Sequence, residues 1–246
     1  MRWEEYAEEH PYFIDEDVVS DLLEKLLKYL NELGKPFSII DLGCGDDAIL
    51  HALHSKGLLK NASRIVGVDI SEERIRRLRR FCPFAEGIVE DVCDLRRIPD
   101  SSFDVAISTQ VIEHVPDDSK MLREVHRILK PNGYFYVSTV VKKWYGVWVY
   151  YEKGKGFKLD PTHVREYRSE QEFLDLLRRS GFDVVEFKSK GVKYPIMDPF
   201  LRLLMKLGLL KVSPDFYFKH RVLRKLKRIR VLAIGYKIIE VVVGKV

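Results

Sequence analysis

The chain has 246 residues, 46% hydrophobic and 32% charged, with a net charge of +5 at neutral pH. That suits one globular domain carrying insertions, and no apolar run is long enough to span a bilayer as a helix. Val231 to Val243 comes nearest but carries Lys237 and Glu240, and the start Met1-Arg2-Trp3-Glu4-Glu5 does not read as a secretory leader.

The cysteines Cys44, Cys82 and Cys93 leave one unpaired and show no C-x-x-C spacing. Neither a disulfide frame nor a zinc site is expected, no metal is assigned, and a cytoplasmic location fits. Glutamine occurs only at 110 and 171 and asparagine only at 31, 61 and 132, beside abundant Lys, Glu and Arg, a thermophile habit. The stretch up to Asp21 is acidic, whereas Arg202 to Arg230 is strongly basic.

The first expected helix begins near Asp15 to Asp17, repeats apolar residues from Val19 to Leu33 and stops at Gly34 before Pro36. The apolar run Phe37-Ser38-Ile39-Ile40 reads as a buried strand entering Asp41-Leu42-Gly43-Cys44-Gly45-Asp46-Asp47, a glycine turn and helix start. A helix from about Asp47 to Lys56 closes at Gly57. A second strand, Arg64 to Asp69, ends in an acid. Ser71 then caps a helix whose Glu72–Arg76 and Glu73–Arg77 spacings favour pairing.

Further strands are expected at about Ala85 to Val89 and at Phe103 to Ser108, the latter almost continuously apolar and so covered on both faces. A helix follows Asp117, with Met121, Leu122, Val125, Ile128 and Leu129 on one stripe. It ends in a turn at Lys130-Pro131-Asn132-Gly133 before a strand from Tyr134 to Val141. Ser169-Glu170-Gln171-Glu172 is a capping box opening a helix that Gly181 ends, ahead of a strand from Phe182 to Phe187. Strands alternating with helices mean an α/β, doubly wound, mostly parallel sheet with helices on both faces. Two stretches break that rhythm: aromatic Lys142 to Tyr167, and Tyr194 to Arg230, which mixes amphipathic pattern with basic residues.

The acid before the first glycine decides what the loop can hold. Asp41 would repel a pyrophosphate and attract a cationic head such as the ammonium and sulfonium of S-adenosylmethionine. A nicotinamide-dependent oxidoreductase is disfavoured for the same reason, and because Asp47 stands where a third glycine would be.

Asp41-Leu42-Gly43-Cys44-Gly45, Gly67-Val68-Asp69-Ile70-Ser71, Asp91-Val92, Ser102-Phe103-Asp104-Val105 and Arg127-Ile128-Leu129-Lys130-Pro131-Asn132-Gly133 occur in that order. The sequence resembles the class I S-adenosylmethionine-dependent methyltransferases, type 11 group, among which the ubiquinone-biosynthesis-type enzymes are similar. The resemblance is good over Ile39 to Val140 and looser to Phe187. It implies a Rossmann-like sheet of seven strands with the last antiparallel near Tyr236 to Val243, and S-adenosyl-L-methionine as cofactor. It also implies a single domain over 1–246: an N-terminal helical lid over 1–36, a cofactor-binding core over 37–141, an aromatic insertion over 142–168 and a basic helical insertion over 194–230.

The roles follow residue by residue. Gly43, Cys44 and Gly45 bring backbone against the methionine and ribose portions. Asp41 attracts the ammonium, and Asp69 at its strand end accepts from both ribose hydroxyls. Asp91 accepts from the adenine amino group, the Val92 amide serves the ring nitrogen, Ile70 flanks the adenine, and Ser108 lies beside the transferring methyl. A helix-capping or turn role is the alternative for Asp41 and Asp69, and Asp94 offers another register for Asp91. Asp47 is tolerated at a helix start and could face the ammonium.

Glu113-His114-Val115 is similar to the E-H-V signature of ubiquinone-type O-methyltransferases, making His114 the candidate general base; orienting a loop is the alternative. His163, Arg165 and Tyr167 are read as a substrate wall, with Arg165 clamping a carboxylate or phosphate, or else as a network anchoring the aromatic insertion. Trp3, Tyr6, Tyr12 and Phe13 form a lid or pack on the first helix. From Arg202 to Arg230, ten cations against Asp215 alternate with Leu201, Leu204, Met205 and Leu209. That reads as peripheral contact with an anionic membrane; nucleic acid or a solvated face are the rivals.

The expected function is methyl transfer to a small or amphiphilic acceptor at oxygen, nitrogen or carbon. A non-catalytic S-adenosylmethionine-binding partner subunit and a methyltransferase acting on RNA are the alternatives.

Overall fold

The computed structural model describes residues 19–45, 48–148, 150–152, 154, 156–195 and 230–246. Trp3, Tyr6, Tyr12 and Phe13, Asp47, and the basic stretch from Arg202 to Arg228 lie outside the described residues.

The first described helix, α1, is Asp21–Glu32, and it starts later than the apolar repeat suggests. Ser20 has an extended backbone, and its side-chain oxygen accepts from the Leu23 amide at 3.2 Å, so the cap excludes Val19 from the helix. Leu22, Leu23, Leu26, Leu27 and Leu30 are buried on one face, packed on Phe37, Ile39, Ile107 and Tyr136. Each fully buried leucine contributes roughly 1.5–3 kcal/mol, so this stripe fastens α1 to the sheet.

The alternation continues as β1 (Phe37–Leu42), α2 (Ala48–Ser55), β2 (Ala62–Asp69), α3 (Glu72–Phe81), β3 (Glu86–Val89), β4 (Phe103–Thr109), α4 (Asp118–Ile128) and β5 (Leu129–Lys142). A hairpin of β6 (Tyr150–Glu152) and β7 (Gly156–Lys158) sits in the aromatic insertion; α5 (Glu170–Arg179), β8 (Phe182–Pro195) and β9 (Arg230–Lys245) complete the fold. The main sheet has seven strands in the order β3-β2-β1-β4-β5-β9-β8. Strands β1 to β5 pair in parallel, whereas β9 pairs antiparallel with β5 and with β8, as the expected antiparallel last strand required. It runs longer than Tyr236 to Val243, because Arg230, Val231 and Leu232 still pair with β8 beyond the end of its pairing with β5.

The expected turn at Lys130 to Gly133 lies inside β5 as a bulge. Phe103 pairs with Leu129 and Val105 with Tyr134, so the intervening residues bow out opposite Asp104. Asn132 takes the left-handed φ of 62° the bow needs, and Lys130 Nζ donates to Asp104 Oδ2 at 2.7 Å. The capping box at α5 is modified: Ser169 Oγ accepts from the Glu172 amide, but the Glu172 carboxylate accepts from Arg168 N–H, one residue further out.

Strand order reverses between β1 and β4, and ligands of open α/β sheets bind outside the carboxyl ends of strands at such a switch point. Asp41 pairs in register with Ile107 there, so the acid of the glycine loop and Ser108 both stand at the carboxyl end of the sheet beside the switch-point crevice, on opposite faces of their strands.

Candidate active site

Backbone geometry shapes the floor of that crevice. The amides of Gly43 and Cys44 both donate to the Val68 carbonyl, at 2.8 and 2.9 Å, folding the loop tightly over the end of β2. Gly43 has φ of 72°, and a Cβ there would stand 2.5 Å from Val111 Cγ2, so only glycine fits. A Cβ on Gly67 would come 2.3 Å from Leu78 Cδ1 and 3.1 Å from Cys44 Sγ. That bare position lets α3 and the Cys44 side chain close on the sheet; Cys44 thus faces the loop with its backbone and the core with its thiol.

Asp41 is 1% exposed, and neither carboxylate oxygen has a hydrogen-bond partner among the described residues. Burial, and then the neighbouring Asp69 charge, push its carboxyl up to about 7. An ionised carboxylate so placed is costly unless a cation with hydrogen-bond donors joins it. Asp69 is held differently: Oδ1 accepts from the Ser71 amide at 2.9 Å, and Oδ2 from the Gly45 amide at 3.0 Å and Arg74 Nη1 at 3.4 Å. A carboxylate offers about four acceptor sites, so accepting from two ribose hydroxyls requires the long Arg74 contact to yield.

Ile70, beside it, leaves 47% of its surface exposed. The Asp91 carboxylate accepts from the Cys93 amide at 2.8 Å in a tight turn that buries Val92. Ser108 is wholly buried with its hydroxyl unpartnered among the described residues.

A second constellation lies past the end of β4. Gln110 takes φ of 55°, and the chain turns so that Glu113 and His114 meet a loop almost fifty residues away. His114 Nδ1 lies 3.0 Å from Thr162 Oγ1 and 3.3 Å from the Thr162 carbonyl, and Thr162 Oγ1 itself donates to Asp160 at 2.7 Å. With both Thr162 oxygens able to accept only from Nδ1–H, the network assigns the neutral imidazole proton to Nδ1 and the lone pair to Nε2. Burial, then the nearby His163, push the His114 imidazolium down to about 4, so the ring is neutral at pH 7. His163 is buried with Nδ1 on Glu166 Oε1 at 2.9 Å, and its ring meets His114 edge-on with centroids 4.9 Å apart. Glu113 is fully buried: Oε2 accepts from Thr139 at 2.9 Å, Oε1 has no partner among the described residues, and burial pushes its carboxyl up to about 7.

Residues 40–137 match the family model described as a methyltransferase domain. A protein named "Probable S-adenosylmethionine-dependent methyltransferase" from Mycolicibacterium smegmatis is 30% identical over 59% of this chain and 52% of its own length. The ubiquinone biosynthesis O-methyltransferase of Neisseria meningitidis is 26% identical over 65% of this chain and 68% of its own. A solved S-adenosylmethionine-dependent methyltransferase from Methanosarcina mazei shares the fold, with a TM-score of 0.59 at 22% identity over 89% of this chain and 97% of that one. Over residues 40–137 the chain is similar to S-adenosylmethionine-dependent methyltransferases. The chain spans about half the length of the first curated relatives it matches.

Of the residues read either as a substrate wall or as an anchoring network, Arg165 and Tyr167 are held as fasteners. Arg165 donates from Nη1 to the carbonyls of Ile112 at 2.9 Å and Val115 at 2.6 Å, and from Nη2 to Pro116 at 2.7 Å, while Nε pairs with Asp118 at 3.3 Å. So much of its donor fork is committed that it latches the Glu113–His114 loop and does not clamp an anion. Tyr167 is 5% exposed, packs on Phe173 and donates to Asp118 at 3.0 Å, a core position. His163 alone of the three belongs to the polar cluster. A cavity of 590 Å³ is lined by Lys142, Trp144, Phe157, Lys158 and the His163 partner Glu166 among others. Sequence reading named Glu113 only as part of a signature and missed that it meets His163; the signal was the acid-flanked run Asp160-x-x-His163-x-x-Glu166.

Proposed function

We propose that this protein transfers the methyl group of S-adenosylmethionine to a hydroxyl of a small or amphiphilic acceptor. The observation carrying the reading is Asp41, a buried carboxylate without a protein partner among the described residues, at the floor of a glycine loop that no dinucleotide phosphate could share. S-adenosylmethionine supplies, when bound, a methyl group on a positively charged sulfur.

The chain's own residues divide the remaining work. Asp41 takes the ammonium, Asp69 the ribose hydroxyls, Asp91 and the Val92 amide the adenine edge, and Gly43, Cys44 and Gly45 give the backbone room to approach. Ser108, at the switch point, flanks the reacting groups. Such a displacement needs the acceptor close and in line, which a crevice between fixed strand ends provides. His114, neutral with its lone pair on Nε2, accepts the acceptor's proton, and Thr162 holds the ring in the required tautomer.

The relatives' printed names support this reading: methyl transfer with S-adenosylmethionine in one, and O-methylation in ubiquinone biosynthesis in another. The basic stretch from Arg202 to Arg230 adds an anionic membrane surface as the place where an amphiphilic acceptor is met. Incubation with tritiated S-adenosylmethionine and a metabolite extract tests the reaction: label should pass to an organic-soluble product. His114→Ala should lower that transfer by ~10²-fold or more with cofactor binding kept. A variant with near-full turnover would leave His114 as scaffolding.

A further inference from the structure

Three side chains of the second constellation share a property the methyl-transfer reading does not use. Glu113, His114 and His163 each offer a ligand atom, and these atoms lie within 4.8 Å of one another. We propose that Glu113, His114 and His163 form a binding site for a divalent first-row metal ion, zinc being the best match to two imidazoles and one carboxylate.

Four observations converge on that assignment. The donor set is mixed nitrogen and oxygen without thiolate, the type that holds catalytic zinc with a position left open. Glu113 is wholly buried on the loop after β4, with Oε1 facing no protein donor among the described residues, which leaves that oxygen for a bound ion. His163 carries a carboxylate behind it: Nδ1 bonds Glu166 Oε1 at 2.9 Å, and that oxygen also accepts from the Leu159 amide at 2.7 Å. A carboxylate behind the distal nitrogen of a ligating histidine fixes its tautomer and raises its basicity. His114 is fixed in the same sense by Thr162, which Asp160 anchors in turn.

Ligand atoms around zinc, at bonds of about 2.0–2.1 Å, sit about 3.3 Å apart. Side chains within 4.8 Å must therefore close by ~1.5 Å at most, a motion that small rotations of the three side chains can supply. Glu166, whose carboxylate meets His163 Nδ1, is among the residues lining the 590 Å³ cavity.

This use of the site rests on the methyltransferase reading: a Lewis acid there would make the acceptor hydroxyl more acidic. The acceptor oxygen then gives its proton to water and forms the new bond to the methyl carbon, while the sulfonium sulfur keeps the electron pair of the bond it loses. With the ion bound His114 would act as its ligand and the proton would leave to water; in the metal-free protein His114 takes that proton itself.

The test uses the full chain, stripped with a chelator and dialysed, then titrated with Co²⁺ as a coloured stand-in and with Zn²⁺ in competition. We expect one Co²⁺ per chain with visible absorption of a low-coordinate nitrogen–oxygen site, displaced by Zn²⁺. Glu113→Gln, close to isosteric, and His163→Ala should each abolish the spectrum. Glu166→Gln should weaken binding by 10–100-fold while leaving the ligands in place. Circular dichroism establishes that each variant folds. Absence of stoichiometric binding by the wild type, or binding that survives both Glu113→Gln and His163→Ala, overturns the proposal. S-adenosylhomocysteine binding is measured on the same stripped samples. If it binds and metal does not, the metal site fails and the methyltransferase reading stands; the reverse result overturns that reading and leaves the metal site.

Discussion

Asp41→Asn should make the protein more stable and worse at binding its cofactor, and the stability gain should grow with pH. The carboxyl is pushed from an ordinary 3.8 up to about 7, first by burial and then by Asp69. An acid with a raised folded pKa binds more protons folded than unfolded, so its contribution is most favourable below about pH 4 and declines until about pH 7. The whole interval of about three units corresponds to roughly 4 kcal/mol, and the part between pH 5 and 8 to roughly 2–3 kcal/mol. Asparagine does not titrate, so its advantage over the wild type should widen by that amount. Urea unfolding of both proteins at pH 5 and pH 8 reads it directly. Calorimetry with S-adenosylhomocysteine, which keeps the ammonium, should show binding weakened by ~30-fold or more in the variant, as expected for loss of one partner of a buried charge pair. Wild-type affinity should rise up to about pH 7 and level off above it, with a proton released on binding below that point. A stability gap that is flat in pH, together with unchanged affinity, would refute the reasoning.

Asp69→Ala removes the acceptor for the ribose hydroxyls and for the Gly45 and Ser71 amides, so cofactor affinity should fall by roughly 1.5–3 kcal/mol per charge-assisted bond lost, with the fold kept by circular dichroism. Gly67→Ala puts a methyl 2.3 Å from Leu78 Cδ1, and overpacking of that kind costs about 1–3 kcal/mol; thermal unfolding should show a drop of several degrees. The basic stretch should carry the protein down with anionic but not neutral vesicles at low salt, without matching affinity for RNA, and the association should fade as salt rises. Binding to neither would make that stretch a solvated face.

Most of the sheet was legible because each strand and helix announces itself locally. Ser71 and Ser169 cap where their sequences say, Gly34 and Gly57 end helices, and the run from Asp41 to Gly45 places the loop. Boundaries slipped where a single side chain competes with periodicity, as when Ser20 caps α1 after Val19. The bulge at Lys130 to Gly133 reads as a plain turn in sequence, because its pairing across Asp104 is a long-range property. The placement of the candidate residues was legible in part. Asp41, Asp69 and Ser108 lie at strand ends, as their sequence order implies, but the meeting of Glu113 and His163 depends on a crossing of two loops that no local pattern encodes. For Arg165 the sequence left a clamp and an anchoring network open, because its carbonyl partners are long-range.

The most direct measurement is a calorimetric titration of the purified chain with S-adenosylmethionine, S-adenosylhomocysteine and NAD at pH 8. The account predicts saturable binding of the first two, one per chain, abolished or strongly weakened by Asp69→Ala and Asp41→Asn, and none of NAD. Binding of NAD, or of no adenosyl ligand by a folded wild-type protein, would contradict it.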